Sequence, residues 1–168
     1  MQTFVPYEDF RRSAEVLDSP RLGKQRVETL QILRALVLPD YGWRNHPATR
    51  MWMGYVPALV AYGLAMTDAW TGRGFADTVR EQLVEFAPDA DGGEVPLPPW
   101  LGEAQVHESH RSNLLAKDPA FYADLFPGTP PDLPYVWPDP EKLILPAEPG
   151  GDSLWVARTV PGDDGPVI

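Results

Sequence analysis

Three histidines, one carboxylate set among cations and one short aromatic and basic loop are the places where this sequence could do chemistry. The histidines are His46, His107 and His110, and the last two stand three residues apart in His107-Glu108-Ser109-His110. On a helix that spacing gives them one face. Zinc would need a third protein ligand and usually the i, i+4 spacing of an HExxH helix, which this run lacks, so no metal is assigned to the pair. The readings left open are caps on backbone groups, the lining of a polar crevice, or anion contact and proton transfer, because imidazole titrates near neutrality and donates well to anions. Glu28 falls in a helical stripe with Arg21 and Lys24. Such a stripe is either a solvated row of ion pairs worth about a few tenths of a kcal/mol, or a carboxylate held in a cationic cleft, able to handle protons or to stabilise positive charge developing on a sugar. The loop Trp43-Arg44-Asn45-His46, with Arg50 just beyond, combines a ring, planar cations and amide and imidazole donors. Bases stack on rings and Arg forks onto phosphate, so the loop suits a base and phosphate pocket; it equally suits a helix N-terminus packed on a core.

The elements that must position these groups follow from capping and periodicity. Asp18-Ser19-Pro20 ahead of Arg21 to Val37 predicts a capped helix, with Leu22, Leu30, Leu33, Leu36 and Val37 on its inner side. A turn at Pro39-Asp40-Tyr41-Gly42 closes it. A second helix is expected from His46-Pro47 toward Trp70, bent or restarted at Pro57, and its apolar residues wrap most of the way round, which marks a central helix. Gly72 and Gly74 end it, and Phe75 to Ala87 reads as a third helix built on Val79, Leu83 and Phe86. After the acidic loop Pro88 to Glu94, Gly102 to Lys117 gives a helix that aligns His107, His110, Leu114 and Lys117 and stops at Asp118-Pro119. A short helix over Ala120 to Phe126 is expected next. From Pro127 onward prolines and glycines exclude regular helix, although Ser153 to Val160 alternates well enough for one strand.

Composition narrows the class. The chain has 168 residues, one domain's worth, and no cysteine, which excludes disulfides, thiolate metal sites and a cysteine nucleophile. Its net charge is −10, which argues against a broad nucleic-acid surface. The charge is uneven, however: residues 1–80 carry a net +2 and the remainder −12, and fifteen of the 20 prolines lie from Pro88 onward. The front is therefore expected to be helical and mildly basic, the back irregular and acidic. Met1 to Phe10 has no apolar run of the kind a signal peptide needs, and Met51 to Trp70 is too interrupted to cross a membrane, so a cytoplasmic protein without membrane contact is expected.

Leu17-Asp18-Ser19-Pro20-Arg21-Leu22-Gly23-Lys24-Gln25-Arg26-Val27-Glu28-Thr29-Leu30, followed by Gly42-Trp43-Arg44-Asn45-His46-Pro47 and Arg50, resembles in order and spacing the pyrimidine-dimer DNA glycosylase (endonuclease V-like) family. The resemblance extends to a bacterial branch that begins Met-Gln-Thr-Phe and carries the run from His107 to Pro119 and the segment Leu-Pro-Tyr-Val-Trp-Pro, and it covers roughly residues 1 to 138. It implies a compact all-α helical bundle over 1–138, followed by an extended, acidic, Pro- and Gly-rich arm over 139–168. It also implies that the chain's amino terminus lies in the active site, where an α-amine attacks the sugar carbon C1′, expels the base and forms an imine that undergoes β-elimination. Glu28 matches the assisting glutamate, and the amine of Met1 would be the nucleophile. An α-amine suits that role because its ordinary pKa near roughly 8 leaves a useful neutral fraction.

The chain departs from the phage members of that family in two respects. They expose threonine after removal of the initiator methionine, whereas Gln2 is bulky and Met1 is expected to stay; they are basic, whereas this chain is acidic. The resemblance thus implies a DNA glycosylase, with AP-lyase activity, acting on damaged or modified pyrimidines without a cofactor. Met1 and Glu28 are its expected catalytic groups, and Arg21, Lys24, Arg44, His46, Arg50, His107 and His110 its expected contacts to phosphate or nucleotide. DNA binding is expected to be weak and salt-sensitive. Two other readings remain: an enzyme acting on the sugar–base bond of a free nucleotide or small metabolite, and a non-catalytic binding or regulatory protein.

Overall fold

The computed structural model describes residues 1–139, 143–145 and 156–158. Seven α-helices form the body: α1 (Phe10–Val16), α2 (Ser19–Val37), α3 (Pro47–Arg50), α4 (Val56–Gly72), α5 (Arg80–Phe86), α6 (Ala104–Lys117) and α7 (Pro119–Tyr122), with a 3₁₀ turn at Pro88–Ala90. Two short strands, β1 (Leu143–Leu145) and β2 (Val156–Arg158), pair antiparallel with Ile144 opposite Ala157. Both strands lie in the expected arm, and β2 falls inside the stretch whose alternation predicts a strand; residues 140–142, 146–155 and 159–168 of the arm are outside the described residues. No described helix is long and apolar enough to cross a membrane.

The caps act as the sequence predicts for α2, where the Asp18 side chain accepts from the Arg21 amide. Leu22, Leu30 and Leu33 are buried and Leu36 packs against the core, but Val37, the last residue of the helix, is half exposed. α4 is the central helix. It packs against α1, α2 and α5, and Gly63 allows the close approach: a Cβ there would sit 2.7 Å from Thr29 and 2.8 Å from Leu83. The expected long helix from His46 is two helices, α3 and α4, separated by a turn at residues 51–55.

Three expectations need correction. The sequence reading gives no element before Asp18, yet α1 forms there, with Asp9 accepting from the Arg12 amide as its N-cap. The helix expected over Phe75 to Ala87 is only α5, because Asp77 caps the Arg80 amide at 2.8 Å and also pairs with Arg26, which fixes residues 75–79 as a loop. The short helix expected over Ala120 to Phe126 is the single turn α7, started by the Asp118 side chain.

The first residues of the chain are inside. Thr3, Phe4 and Val5 are buried, and a ring cluster of Phe10, Trp52, Tyr62 and Trp100 closes around them. The other end of the body, residues 133–139, is laid across α6: the Leu133 amide donates to Ser112, the Val136 amide to Ser109, and Asn113 donates to the Leu133 carbonyl. Asp139, buried, pairs with Arg50.

Candidate active site

A buried extended segment must satisfy its main-chain polar groups with side chains if no strand lies beside it. Residues 2–5 do this with four elements. The Gln2 amide donates to Glu28 Oε2 on α2 at 3.3 Å, and the Phe4 amide donates to Gln25 Oε1 at 2.8 Å. The Phe4 carbonyl accepts from the Tyr62 hydroxyl on α4 at 2.8 Å, the Thr3 amide donates to Gln2 Oε1 at 2.8 Å, and Trp52 Nε1 holds the Thr3 side chain by donating to its hydroxyl at 2.9 Å. The Val5 amide and carbonyl meet His110 and His107 on α6. These bonds thread the terminus through the core and lead Met1 to a cleft of about 380 Å³ lined by residues of α2, the loop before α3, the end of α6 and the 133–139 strap.

Met1, Arg21, Lys24, Glu28 and His46 all line that cleft, together with Lys117, Tyr135 and Trp137. The spacing of Arg21, Lys24, Gln25 and Glu28 on α2 gives them neighbouring positions on one flank. Glu28 is half-buried and is held by two donors on one oxygen, the Gln2 amide and Gln25 Nε2 at 3.2 Å; among the described residues its Oε1 receives no hydrogen bond. The stripe is therefore not a row of mutual ion pairs. Arg21 pairs with Asp18 at 3.1 Å instead, and among the described residues Lys24 and Lys117 have no ion pair.

His46 is the N-cap of α3. Its Nδ1 accepts from the Ala48 amide at 3.0 Å, which puts the ring proton on Nε2. Burial, and then the positive charge of the chain's own amino terminus, hold this imidazole below its ordinary value. Met1 and His46 line the same cleft. The ring packs edge-on against Trp43 at 5.4 Å and Trp137 at 6.2 Å, and Trp43 itself sits at φ 73, a left-handed conformation uncommon for a bulky side chain. Tyr135 adjoins Trp137 at 5.1 Å, and burial raises its phenol.

Four residues expected in the binding surface do not line the cleft. Arg44 is exposed and donates to the Pro39 carbonyl. Arg50 is buried, and its guanidinium faces Asn45 and Asp139 rather than solvent. His107 and His110 are buried too, with ring nitrogens engaged by Val5, so they contact the protein's own backbone where contact with phosphate was expected. The reason is that the helix face they share with Leu114 turns inward, while Lys117, one turn later, emerges at the cleft. Among the described residues no group of three His, Asp or Glu side chains could hold a metal.

Sequence reading missed Lys117, Tyr135, Trp137 and Gln25 as site residues. The alignment of Lys117 with the two histidines was visible, but nothing in the sequence tells which end of α6 reaches solvent beside α2.

The pyrimidine dimer DNA glycosylase family matches the chain over residues 1–82, a segment that ends within α5 and contains Met1, Arg21, Lys24, Glu28 and His46. Neither the curated proteins nor the solved structures provide a match.

Proposed function

We propose that the chain, whose residues 1–82 match the pyrimidine dimer DNA glycosylase family, cleaves the sugar–base bond of damaged pyrimidines by an amine and imine mechanism at its own amino terminus. The family is one of enzymes that act on DNA at the sugar–base bond of pyrimidine dimers. The observation that carries the finer reading is that Met1 and Glu28 line one cleft with Arg21, Lys24 and Lys117.

In that reading the nitrogen lone pair of Met1 forms a bond to C1′ of an extruded nucleotide. The C1′–N1 bond breaks with its electron pair leaving on the pyrimidine. The proton released by the attacking amine passes to Glu28, whose Oε1 is the acceptor left without a partner. The protonated Glu28 returns its proton to O4′ as the C1′–O4′ bond breaks and the imine forms, and the carboxylate so regenerated takes a 2′ proton, which expels the 3′ phosphate by β-elimination. Arg21, Lys24 and Lys117 hold the flanking phosphates, and Arg44 meets the duplex outside the cleft. His46, with a proton on Nε2, donates to the sugar or phosphate of the extruded nucleotide. Extrusion costs a few kcal/mol, less at a lesion that already disrupts stacking, and the cationic contacts offset it.

The test is borohydride trapping on duplexes containing a pyrimidine dimer or an abasic site. A covalent adduct mapping to Met1, lost when the α-amine is acetylated, is expected. Absence of any adduct and of abasic sites or strand cuts at the dimer would remove the proposal. Hydrolysis of free nucleosides at high salt, without DNA binding, would favour the small-metabolite reading that the net charge of −10 suits.

A further inference from the structure

The two histidines that sequence spacing places together do something specific to one residue. Val5 is fully buried, with no strand beside it. Its amide donates to His110 Nδ1 at 2.9 Å, and its carbonyl pairs with His107 Nδ1 at 2.7 Å. Two imidazoles one helical turn apart thus take the place of a neighbouring strand, satisfying both polar groups of a single peptide residue.

The bonds fix opposite tautomers. His107 Nε2 accepts from the Gly102 amide at 2.9 Å, so its proton is on Nδ1 and is donated to Val5. Gly102 presents that amide from a left-handed conformation, φ +101, that most side chains would disfavour. His110 accepts at Nδ1 and carries its proton on Nε2, which is buried without a partner. A buried donor left unsatisfied disfavours the fold by about 1–3 kcal/mol, so this ring is retained for what its other nitrogen does.

We propose that His107 and His110 are positioning residues for the reaction, a clamp on Val5 that fixes how far the amino-terminal strand carries the Met1 amine into the cleft. This rests on the amine and imine reading above. The bonds that other elements make to residues 2–4 come from α2, α4 and Trp52, whereas α6, the helix that brings Lys117 to the cleft, holds the segment through the clamp on Val5 and, one residue further from Met1, through Arg111, which donates to the Pro6 carbonyl at 2.7 Å. From Val5 to Met1 the chain reaches at most about 13 Å, so a strand loosened at Val5 lets the amine swing relative to the phosphate contact on α6. Reactions of this kind are sensitive to displacements of about 1 Å.

The shapes of asparagine and glutamine separate positioning from general support. An asparagine amide overlays the Nδ1 position of imidazole and a glutamine amide the Nε2 position. In the full chain, His107→Asn can still donate to Val5, whereas His107→Gln keeps the contact to Gly102 and loses Val5. His110→Asn keeps an acceptor for the Val5 amide, and His110→Leu removes it. Three quantities are read for each: single-turnover trapping rate on an abasic duplex at saturating DNA, DNA affinity, and hydrogen exchange at the amides of residues 2–5 beside those of α4. His107→Gln and His110→Leu should lose trapping rate by on the order of tenfold or more, with affinity and α4 protection kept and the protection at residues 2–5 lost. The two asparagine variants should stay near wild type. A His107→Gln enzyme that traps as fast as wild type overturns the inference, as does a loss that follows melting temperature across all four variants. If the wild-type protein itself gives no adduct, the glycosylase reading fails first and the positioning role falls with it; unprotected amides at residues 2–5 in the wild type would instead refute the clamp alone.

Discussion

The main-chain amide of Gln2 donates to Glu28 Oε2 at 3.3 Å, which ties the carboxylate of the first long helix to the residue bonded to Met1. Chain terminus and acidic side chain are thereby coupled through one hydrogen bond, and Gln25 steadies both partners: its Nε2 donates to the same carboxylate oxygen, and its Oε1 accepts from Phe4.

Glu28→Gln keeps an acceptor for the Gln2 amide and removes the base. Cleavage of the C1′–N1 bond in dimer DNA, read in single-turnover assays as abasic sites or strand cuts, should fall by about 100-fold or more, with a melting temperature close to wild type. Unchanged cleavage would exclude Glu28 from the chemistry.

Gln25→Ala tests the support beneath it. The buried Phe4 amide donates to Gln25 Oε1 and would be left without an acceptor, while the Tyr62 hydroxyl, which also faces Gln25 Oε1, keeps the Phe4 carbonyl. Chemical denaturation should show a loss of about 2 kcal/mol or more. A neutral effect would mean that the terminal segment is held elsewhere.

Lys24→Ala and Lys117→Ala address the phosphate contacts, since both lysines are exposed at the cleft. Each should weaken binding to damaged and undamaged duplexes alike and reduce the slope of log K against log salt by about 1. A salt slope that neither substitution alters would place the DNA on another face.

Asp139→Ala should both destabilise the protein and free the strap that carries Tyr135 and Trp137. Removing the Asp139 carboxylate takes one partner from the buried Arg50 guanidinium, so stability should fall. Denaturation and tryptophan fluorescence read the two effects, and a variant as stable as wild type, with unchanged fluorescence, would show that the Arg50 pair does not hold the strap.

Acid should weaken the fold through His110. Burial, reinforced by the neighbouring His107, pushes its imidazole down to about 3 from an ordinary value of 6.5, and the Phe4 and Tyr135 rings enclose it. Between those values the unfolded chain binds the proton and the folded chain does not, so stability is full above about pH 6.5 and declines as the pH falls toward 3. Urea denaturation between pH 7 and 4 should show a steeper decline for wild type than for His110→Asn, which lacks the titrating ring. Parallel declines would mean that His110 titrates alike in both states.

Much of the helical order could be read directly from residues. Asp18 before Ser19-Pro20, the apolar wrap of α4 and the Asp118-Pro119 stop each act within a few neighbours, so local chemistry is enough to specify them. α1 escaped because a seven-residue helix carries too little periodicity, and α5 came out short because Asp77 answers to Arg26, fifty-one residues away.

For the site, the sequence alone determined the cast: Glu28 beside Arg21 and Lys24 by helical spacing, His46 ahead of Pro47, and, through a family resemblance, the terminal amine. Only the tertiary structure decided which of them meet. A helix face is equally able to look inward or outward until something packs on it, and burying Val5 turned His107 and His110 toward the core while leaving Lys117 at the cleft. Tyr135 and Trp137 arrive there from the far end of the body for the same reason, because serine and asparagine side chains on α6 bind the strap that carries them.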